Sequence, residues 1–205
     1  MKFAVCYSGQ CRHPDKHFGG QHDKYIFNVL RQYGSIDFFL HFWKTTETIR
    51  GIILPDLNSE YKDKLLNLIK PKKYSFEDQQ QIHRMISMYL SIYKCNELKK
   101  QFEQENRFKY DAVLRMRADF GFNHELPQYV LEQLDKIHVR DTGFGEGIND
   151  QFAIASSELM DIYANCFNNI TDDLHSHPEK MLKKHFVLSG LDKQTQLLPT
   201  TFFWW

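Results

Sequence analysis

The stretch Tyr110–Phe122, YDAVLRMRADFGF, decides the fold and lies at its centre. Its apolar first half and the glycine near its end predict a β-strand. Side chains of a strand alternate between two faces, so Arg115, Arg117 and Asp119 share one face. Two guanidiniums and a carboxylate on a mostly apolar strand need mutual pairing or a polar cleft. Asp119 therefore either neutralises the arginines as a structural ion pair or helps to form a site beyond the strand's carboxyl end.

The composition is that of one large globular domain or two very small ones. Of the 205 residues, 42% are hydrophobic and 15% aromatic. Balanced charges, 26 basic against 26 acidic, argue against general nucleic-acid binding but allow a basic pocket for one nucleotide. The sequence shows neither an apolar run of the roughly 20 residues that span a membrane nor a secretory signal, so we expect a cytoplasmic protein. Four cysteines without a CxxC pair favour reduced thiols.

Polar residues follow two further apolar runs that have the pattern of buried strands. Residues 2–7, KFAVCY, precede Ser8 and Gly9. These small residues allow the backbone to approach a ligand, and Arg12 then lies within reach of a phosphate. An ordinary strand-to-helix turn is the equal alternative. Residues 36–42, IDFFLHF, precede Trp43, which either stacks on a base or sugar or, as is commoner, packs in the core.

Helical spacing and capping residues predict the remaining elements. These are helices over 23–33, 60–70, 76–106 and 178–190, a short helix after residue 122, a helix from Ser156 or Ser157 through Phe167, and strands at Ile137–Val139 and Phe152–Ala155. The polar stretch 13–22, HPDKHFGGQH, is predicted to be a flexible loop.

Two segments in the second half of the chain have a chemistry of their own. The stretch 141–152, DTGFGEGINDQF, places glycines at 143, 145 and 147 but lacks the Gly-Lys-Ser/Thr ending of a phosphate-binding P-loop. We interpret it as a lid, an acceptor-side loop or a plain connection. His175, His177 and His185 lie close in sequence, and they either supply a metal ligand or are ordinary surface histidines.

Five segments together resemble a family of small nucleotide-sugar glycosyltransferases of bacterial polysaccharide loci and large DNA viruses, including those of algae. They are SGQCR, IDFFLHFW, MYLSIYKCNEL, YDAVLRMRADFGF and NDQFAIASSELMDIY. The resemblance runs from the first strand to about residue 167. It implies an α/β GT-A fold, Rossmann-like, with a mostly parallel central sheet flanked by helices. A single domain, 1–205, would divide into a donor-binding part, roughly 1–122, and an acceptor-side part, roughly 123–205.

The resemblance also implies a metal-assisted transfer from a nucleoside-diphosphate sugar, most often a UDP-sugar, to a glycan or glycoprotein. Arg117-Ala118-Asp119 matches the acidic DxD motif that holds Mn²⁺ or Mg²⁺, with one acid in place of two. The location would be cytoplasmic, in the host if viral. Asp119 would then share the metal with diphosphate oxygens, water and His185, and Asp150 is the candidate base for the acceptor hydroxyl. The implied donor-binding residues are Ser8, Gly9, Arg12, Trp43, Arg115, Arg117 and Asp119.

Two other classes compete with this interpretation. A catalytically inactive module that only binds nucleotide sugars or carbohydrates is the main alternative. A phosphohydrolase or nuclease would need several carboxylates clustered for two metals, and the sequence offers no such cluster around Asp119.

Overall fold

Seven strands form one mixed β-sheet at the centre of the protein. The computed structural model describes residues 1–45, 48–49, 52–79, 82–141, 147–170 and 177–204. The strands are β1 (Lys2–Gln10), β2 (Ser35–Lys44), β3 (Lys73–Asp78), β4 (Ala112–Met116), β5 (Ile137–Arg140), β6 (Phe152–Ala155) and β7 (Thr195–Leu198). Their order across the sheet is β3-β2-β1-β4-β6-β5-β7. Only β6 among these seven runs antiparallel to its neighbours, β4 and β5.

Helices cover both faces of this sheet. They are α1 (Pro14–His17), a π-helix (Phe18–Phe27), α2 (Asn28–Tyr33), α3 (Glu60–Ile69), α4 (Arg84–Asn106), α5 (Gln128–Glu132), α6 (Ser157–Ala164) and α7 (Pro178–Ser189), with 3-10 turns at Asn165–Asn169, Leu191–Gln194 and Thr200–Phe202. Two antiparallel pairs of two-residue strands stand apart, Thr48–Ile49 with Ile52–Ile53 and Gly121–Phe122 with Phe203–Trp204. Within the described residues, no helix has the length and apolar character needed to cross a membrane.

The alternation of side chains along β1 shows how one strand builds both halves of the core. Phe3, Val5 and Tyr7 belong to a cluster with the π-helix, α2, α3 and α5. Ala4 and Cys6 belong to a second cluster with α4, α6 and α7. A strand covered on both faces must be apolar throughout, as the run KFAVCY predicts. The predicted α/β class with a mostly parallel sheet flanked by helices is therefore confirmed.

Two secondary-structure predictions are wrong, and one strand was not predicted. The helix predicted over 76–106 begins only at Arg84, and its first predicted residues, 76–78, belong to β3. Pairing with β2 outweighs local propensity here, and it stacks the rings of Phe42 and Phe76 with centroids 6.1 Å apart. The predicted loop 13–22 is largely helical, because Pro14 starts α1 and the π-helix accommodates both glycines. The sequence analysis also missed β7, a short and partly polar edge strand.

The strand predicted within Tyr110–Phe122 is also shorter than expected. Strand β4 ends at Met116. Arg117 then donates its backbone N–H to Gln151 at 3.0 Å, and Phe120 donates to the Arg117 carbonyl at 3.3 Å, which closes a turn. The predicted alternation therefore fails after Met116, and Arg117 and Asp119 lie on this turn at the carboxyl end of the strand.

Candidate functional site

A cavity of about 280 Å³ lies where the strand order reverses, beyond the carboxyl ends of β1 and β4. Consecutive strands β1, β2 and β3 run to one side of this point and β4 lies on the other. Open α/β sheets bind ligands in the crevice that such a reversal creates. The structure brings all seven predicted donor-binding residues to this cavity: Ser8, Gly9, Arg12, Trp43, Arg115, Arg117 and Asp119.

Arg115 is the most unusual group in the cavity lining. The residue is 2% exposed. Its Nε donates a long hydrogen bond of 3.4 Å to Ser8 Oγ, whereas Nη1 and Nη2 have no hydrogen-bond partner among the described residues. A buried guanidinium whose donors are unsatisfied is unfavourable unless an anion arrives. The cavity therefore contains a preformed cationic group for a ligand.

Asp119 forms an ion pair, but not with Arg115. Its Oδ2 accepts from Arg12 Nη1 at 3.0 Å and from Arg117 Nη2 at 2.7 Å, and its Oδ1 accepts from Arg117 Nε at 2.9 Å. Burial raises the pKa of Asp119, but the hydrogen bonds and charges of the two arginines outweigh it and lower this pKa to about 2. The predicted ion pair thus exists for Arg117 but does not include Arg115.

The charge around the cavity is strongly positive. Four arginines line it, Arg12, Arg84, Arg115 and Arg117, against the carboxylate of Asp119. The first turn of the 23-residue helix α4 also contributes to the lining, so the positive end of its dipole faces the cavity. Arg84 was not among the predicted site residues, because the sequence pattern places it inside a longer helix. The lining as a whole suits an anion.

A buried polar network holds the end of β1 in place beneath the cavity. The Gly9 N–H donates to Ser91 Oγ at 2.7 Å, and the same hydroxyl lies 2.7 Å from His41 Nδ1. His41 Nε2 lies 3.3 Å from the Glu77 carboxylate, which also pairs with Lys94. Because Ser91 is fully buried and this network satisfies it, we assign it a positioning role rather than that of a nucleophile.

Trp43 belongs more to the core than to a stacking surface. The residue is 1% exposed, and its indole N–H donates to the Ser87 carbonyl at 3.1 Å. The imidazole of His41 packs edge-on against it, with ring centroids 4.8 Å apart. Trp43 therefore forms a wall of the cavity, in line with the commoner of its two predicted roles.

Replacing Gly9 by alanine is expected to destabilise the protein through its backbone. Gly9 has φ +113°, a conformation that L residues rarely adopt, and its added Cβ would meet no atom within 4 Å. Strain alone should lower the free energy of unfolding by about 1–3 kcal/mol, measured by urea denaturation. Gly19→Ala, also in open space but in helical backbone, is the control and should not destabilise. Equal effects of the two substitutions would contradict the assignment of strain to Gly9.

The turn that carries Asp119 is fixed from the π-helix side by a buried histidine. His22 Nε2 lies 2.5 Å from the Phe120 carbonyl, which can only accept, so this nitrogen carries the proton. His22 Nδ1 then accepts from the Tyr7 hydroxyl at 2.6 Å. Burial lowers the pKa of His22 to about 4, and it also lowers that of His41 to about 4. Both side chains are neutral at pH 7.

Acidification to pH 5 is expected to destabilise the protein through these two histidines. In the unfolded chain they take up protons near pH 6.5, whereas in the folded protein they resist protonation until about pH 4. The unfolded state therefore binds more protons between these values, and stability falls as the pH drops through this window. At pH 5 each histidine should lower the free energy of unfolding by about 2 kcal/mol relative to pH 7.5, as measured by urea denaturation. Equal stability at both pH values would refute the assignment of neutral, buried imidazoles.

The structure does not bring Asp150 and His185 into the cavity lining. Asp150 is 6% exposed and lies just before β6, where its negative charge acts on Arg117. His185 Nε2 lies 2.8 Å from the Ile162 carbonyl, and its Nδ1 lies 3.1 Å from the Asn169 amide. Because both ring nitrogens are engaged, His185 offers no lone pair to a metal. His175 and the glycines at 143 and 145 lie outside the described residues.

The donor atoms at this site do not fit a divalent cation. Asp119 is the carboxylate that the metal was expected to use, and arginine hydrogen bonds already engage both of its oxygens. The described part of the chain contains no group of three His, Cys, Asp or Glu side chains placed to hold a metal ion.

Comparison with known proteins gives no family for this chain. No protein-family model matches the chain, and no curated protein matches it either. Fold and site together define an α/β protein with an arginine-lined cavity at the switch point of its sheet.

Proposed function

We propose that the protein is a glycosyltransferase that moves a sugar from a nucleoside-diphosphate sugar, a UDP-sugar in particular, to a glycan or glycoprotein acceptor. The buried guanidinium of Arg115 at the switch point carries this proposal, because its Nη1 and Nη2 have no hydrogen-bond partner in the part of the chain that the structure describes. A diphosphate is the part of such a donor that matches a guanidinium, through charge and through two parallel hydrogen bonds. The order of the first four strands, β3-β2-β1-β4, supports the same proposal, because it is the order of nucleotide-binding sheets.

The residues of the cavity then have definite roles in the transfer. Breaking the bond between the sugar and the diphosphate leaves negative charge on the departing oxygens. Arg115, with Arg12 and Arg117 beside it in the cavity lining, stabilises this charge. The strained backbone at Gly9 leaves open space where a side chain would otherwise stand, so the diphosphate can approach the end of β1.

Asp150 is the proposed base for the acceptor hydroxyl. It lies at the amino end of β6, next to the turn that carries Arg117, and its charge reaches that guanidinium. A carboxylate here takes the proton of the attacking hydroxyl as the sugar is transferred. The GT-A form of the fold and the division into a donor and an acceptor part belong to the same proposal.

A binding module without catalysis is the second candidate, and one observation favours it. The proposed base, Asp150, is buried and does not line the cavity. A protein that holds a nucleotide sugar without a base at the sugar would bind the donor and leave it intact.

A panel of nucleotide sugars tests the proposal. We expect one donor to raise the melting temperature and to be hydrolysed slowly to free sugar, because water replaces the missing acceptor. Asp150→Asn should leave donor binding unchanged and slow this hydrolysis about 100-fold, since a general base contributes 10²–10⁴. Glu158→Gln, which changes an acid in the first turn of α6, is the control. Binding without hydrolysis would favour the binding module, and no binding of any donor would refute both candidates.

A further inference from the structure

The carboxylate that the family resemblance assigns to a metal is held by cations of the protein itself. Arg12 and Arg117 together make three hydrogen bonds of 2.7–3.0 Å to the two oxygens of Asp119. A divalent cation bound there would lie against two guanidiniums and would have to displace their hydrogen bonds. The hard, oxygen-rich environment that Mn²⁺ and Mg²⁺ require is missing among the described residues around this acid.

The positive charge that a metal would supply is already present in the cavity. Arg115 is buried, and its Nη1 and Nη2 have no partner among the residues that the structure describes. The amino end of α4 adds the partial charge of its dipole. Guanidiniums bind phosphate oxygens in a fork and keep their charge at every physiological pH. The lining therefore has the means to neutralise a diphosphate without a cation from solution.

We infer that the site binds the diphosphate of its donor through arginines alone, without a divalent cation, and that Asp119 is an internal anion. In this role Asp119 holds Arg12 and Arg117 at the cavity until phosphate oxygens take over part of their hydrogen bonds. The inference rests on the proposed function, because it concerns the same donor site. No covalent bond changes in this step, which is an exchange of hydrogen-bond acceptors.

Isothermal titration of the full chain with UDP tests the inference in two buffers, one with excess EDTA and one with manganese. We expect dissociation constants that agree within about threefold. Asp119→Asn removes the competing anion and should bind UDP in EDTA about as tightly as the wild type or up to about tenfold more tightly. Asp135→Asn, which changes an exposed carboxylate elsewhere, is the matched control.

The outcomes separate this inference from the proposed function. UDP binding that appears only with manganese, and that Asp119→Asn abolishes, would overturn the inference and leave a metal-dependent donor site. If neither UDP nor any other nucleoside diphosphate bound in either buffer, the proposed function itself would fall. Binding of UDP in EDTA by the wild type and by Asp119→Asn would support both.

Discussion

Replacing Arg115 by methionine is expected to stabilise the unliganded protein while weakening its binding of a nucleoside diphosphate about 100-fold. Methionine keeps a long unbranched side chain and removes a buried charge whose Nη1 and Nη2 have no partner among the described residues. The free energy of unfolding should therefore rise by about 1–3 kcal/mol, the penalty for leaving such groups unsatisfied. A purely structural arginine would have the opposite effect on stability.

Two measurements on the same preparations check this prediction. Urea denaturation without ligand gives the stability, and isothermal titration with UDP gives the affinity. Arg31→Met is the matched control, because Arg31 is a half-exposed residue of α2 paired with Asp23. It should change stability by less than about 0.5 kcal/mol, and its affinity should equal that of the wild type. If Arg115→Met destabilised the protein and bound UDP normally, Arg115 would have a role in packing and not in binding.

Replacing Lys99 by methionine is expected to destabilise the protein by about 3 kcal/mol, because it removes the buried cation of an ion-pair network and leaves Glu103 only the half-exposed Lys109 among the described cations. Lys99 is fully buried on α4. Its ammonium donates to Ser157 Oγ at 2.6 Å and to Asp161 Oδ1 at 2.7 Å, and it lies 3.2 Å from Glu103 Oε2. These contacts join α4 to α6 behind the sheet, so the substitution weakens the support of the helix whose first turn lines the cavity.

The neighbouring residue provides the control for Lys99. Lys100 pairs with Glu97 at 2.7 Å on the partly exposed side of α4, and Lys100→Met should change stability by less than about 0.5 kcal/mol. Adding Glu103→Gln to Lys99→Met removes the carboxylate that has lost its buried cation and should recover part of the loss. Urea denaturation measures all three variants. A Lys99→Met protein as stable as Lys100→Met would show that this network contributes little.

The sequence was sufficient to predict where the candidate site lies, because the end of a buried strand is visible locally as an apolar run followed by polar residues. The runs before Ser8 and Trp43 and the stretch around Arg115 are apolar enough to be buried strands, and parallel strands bring their carboxyl ends to one edge. The polar residues that follow these runs therefore gather at one edge of the sheet, and all seven predicted residues line the cavity there.

The ion pairs within the candidate site could not be predicted from the sequence, because they depend on contacts between residues that are distant along the chain. Asp119 pairs with Arg12, which lies 107 residues away, only because a turn after Met116 brings it there. Neither the Gln151 carbonyl that helps to form this turn nor the engaged nitrogens of His185 leaves a signal in the local sequence. The same holds for β3, whose strand character comes from its pairing with β2.

A crystal structure of the protein with UDP, grown in the presence of EDTA, tests the central claim most directly. We predict that diphosphate density fills the cavity between the ends of β1 and β4, with Nη1 and Nη2 of Arg115 at about 2.7–2.9 Å from its oxygens. A nucleotide bound elsewhere, with the Arg115 guanidinium still unpaired, would contradict the account.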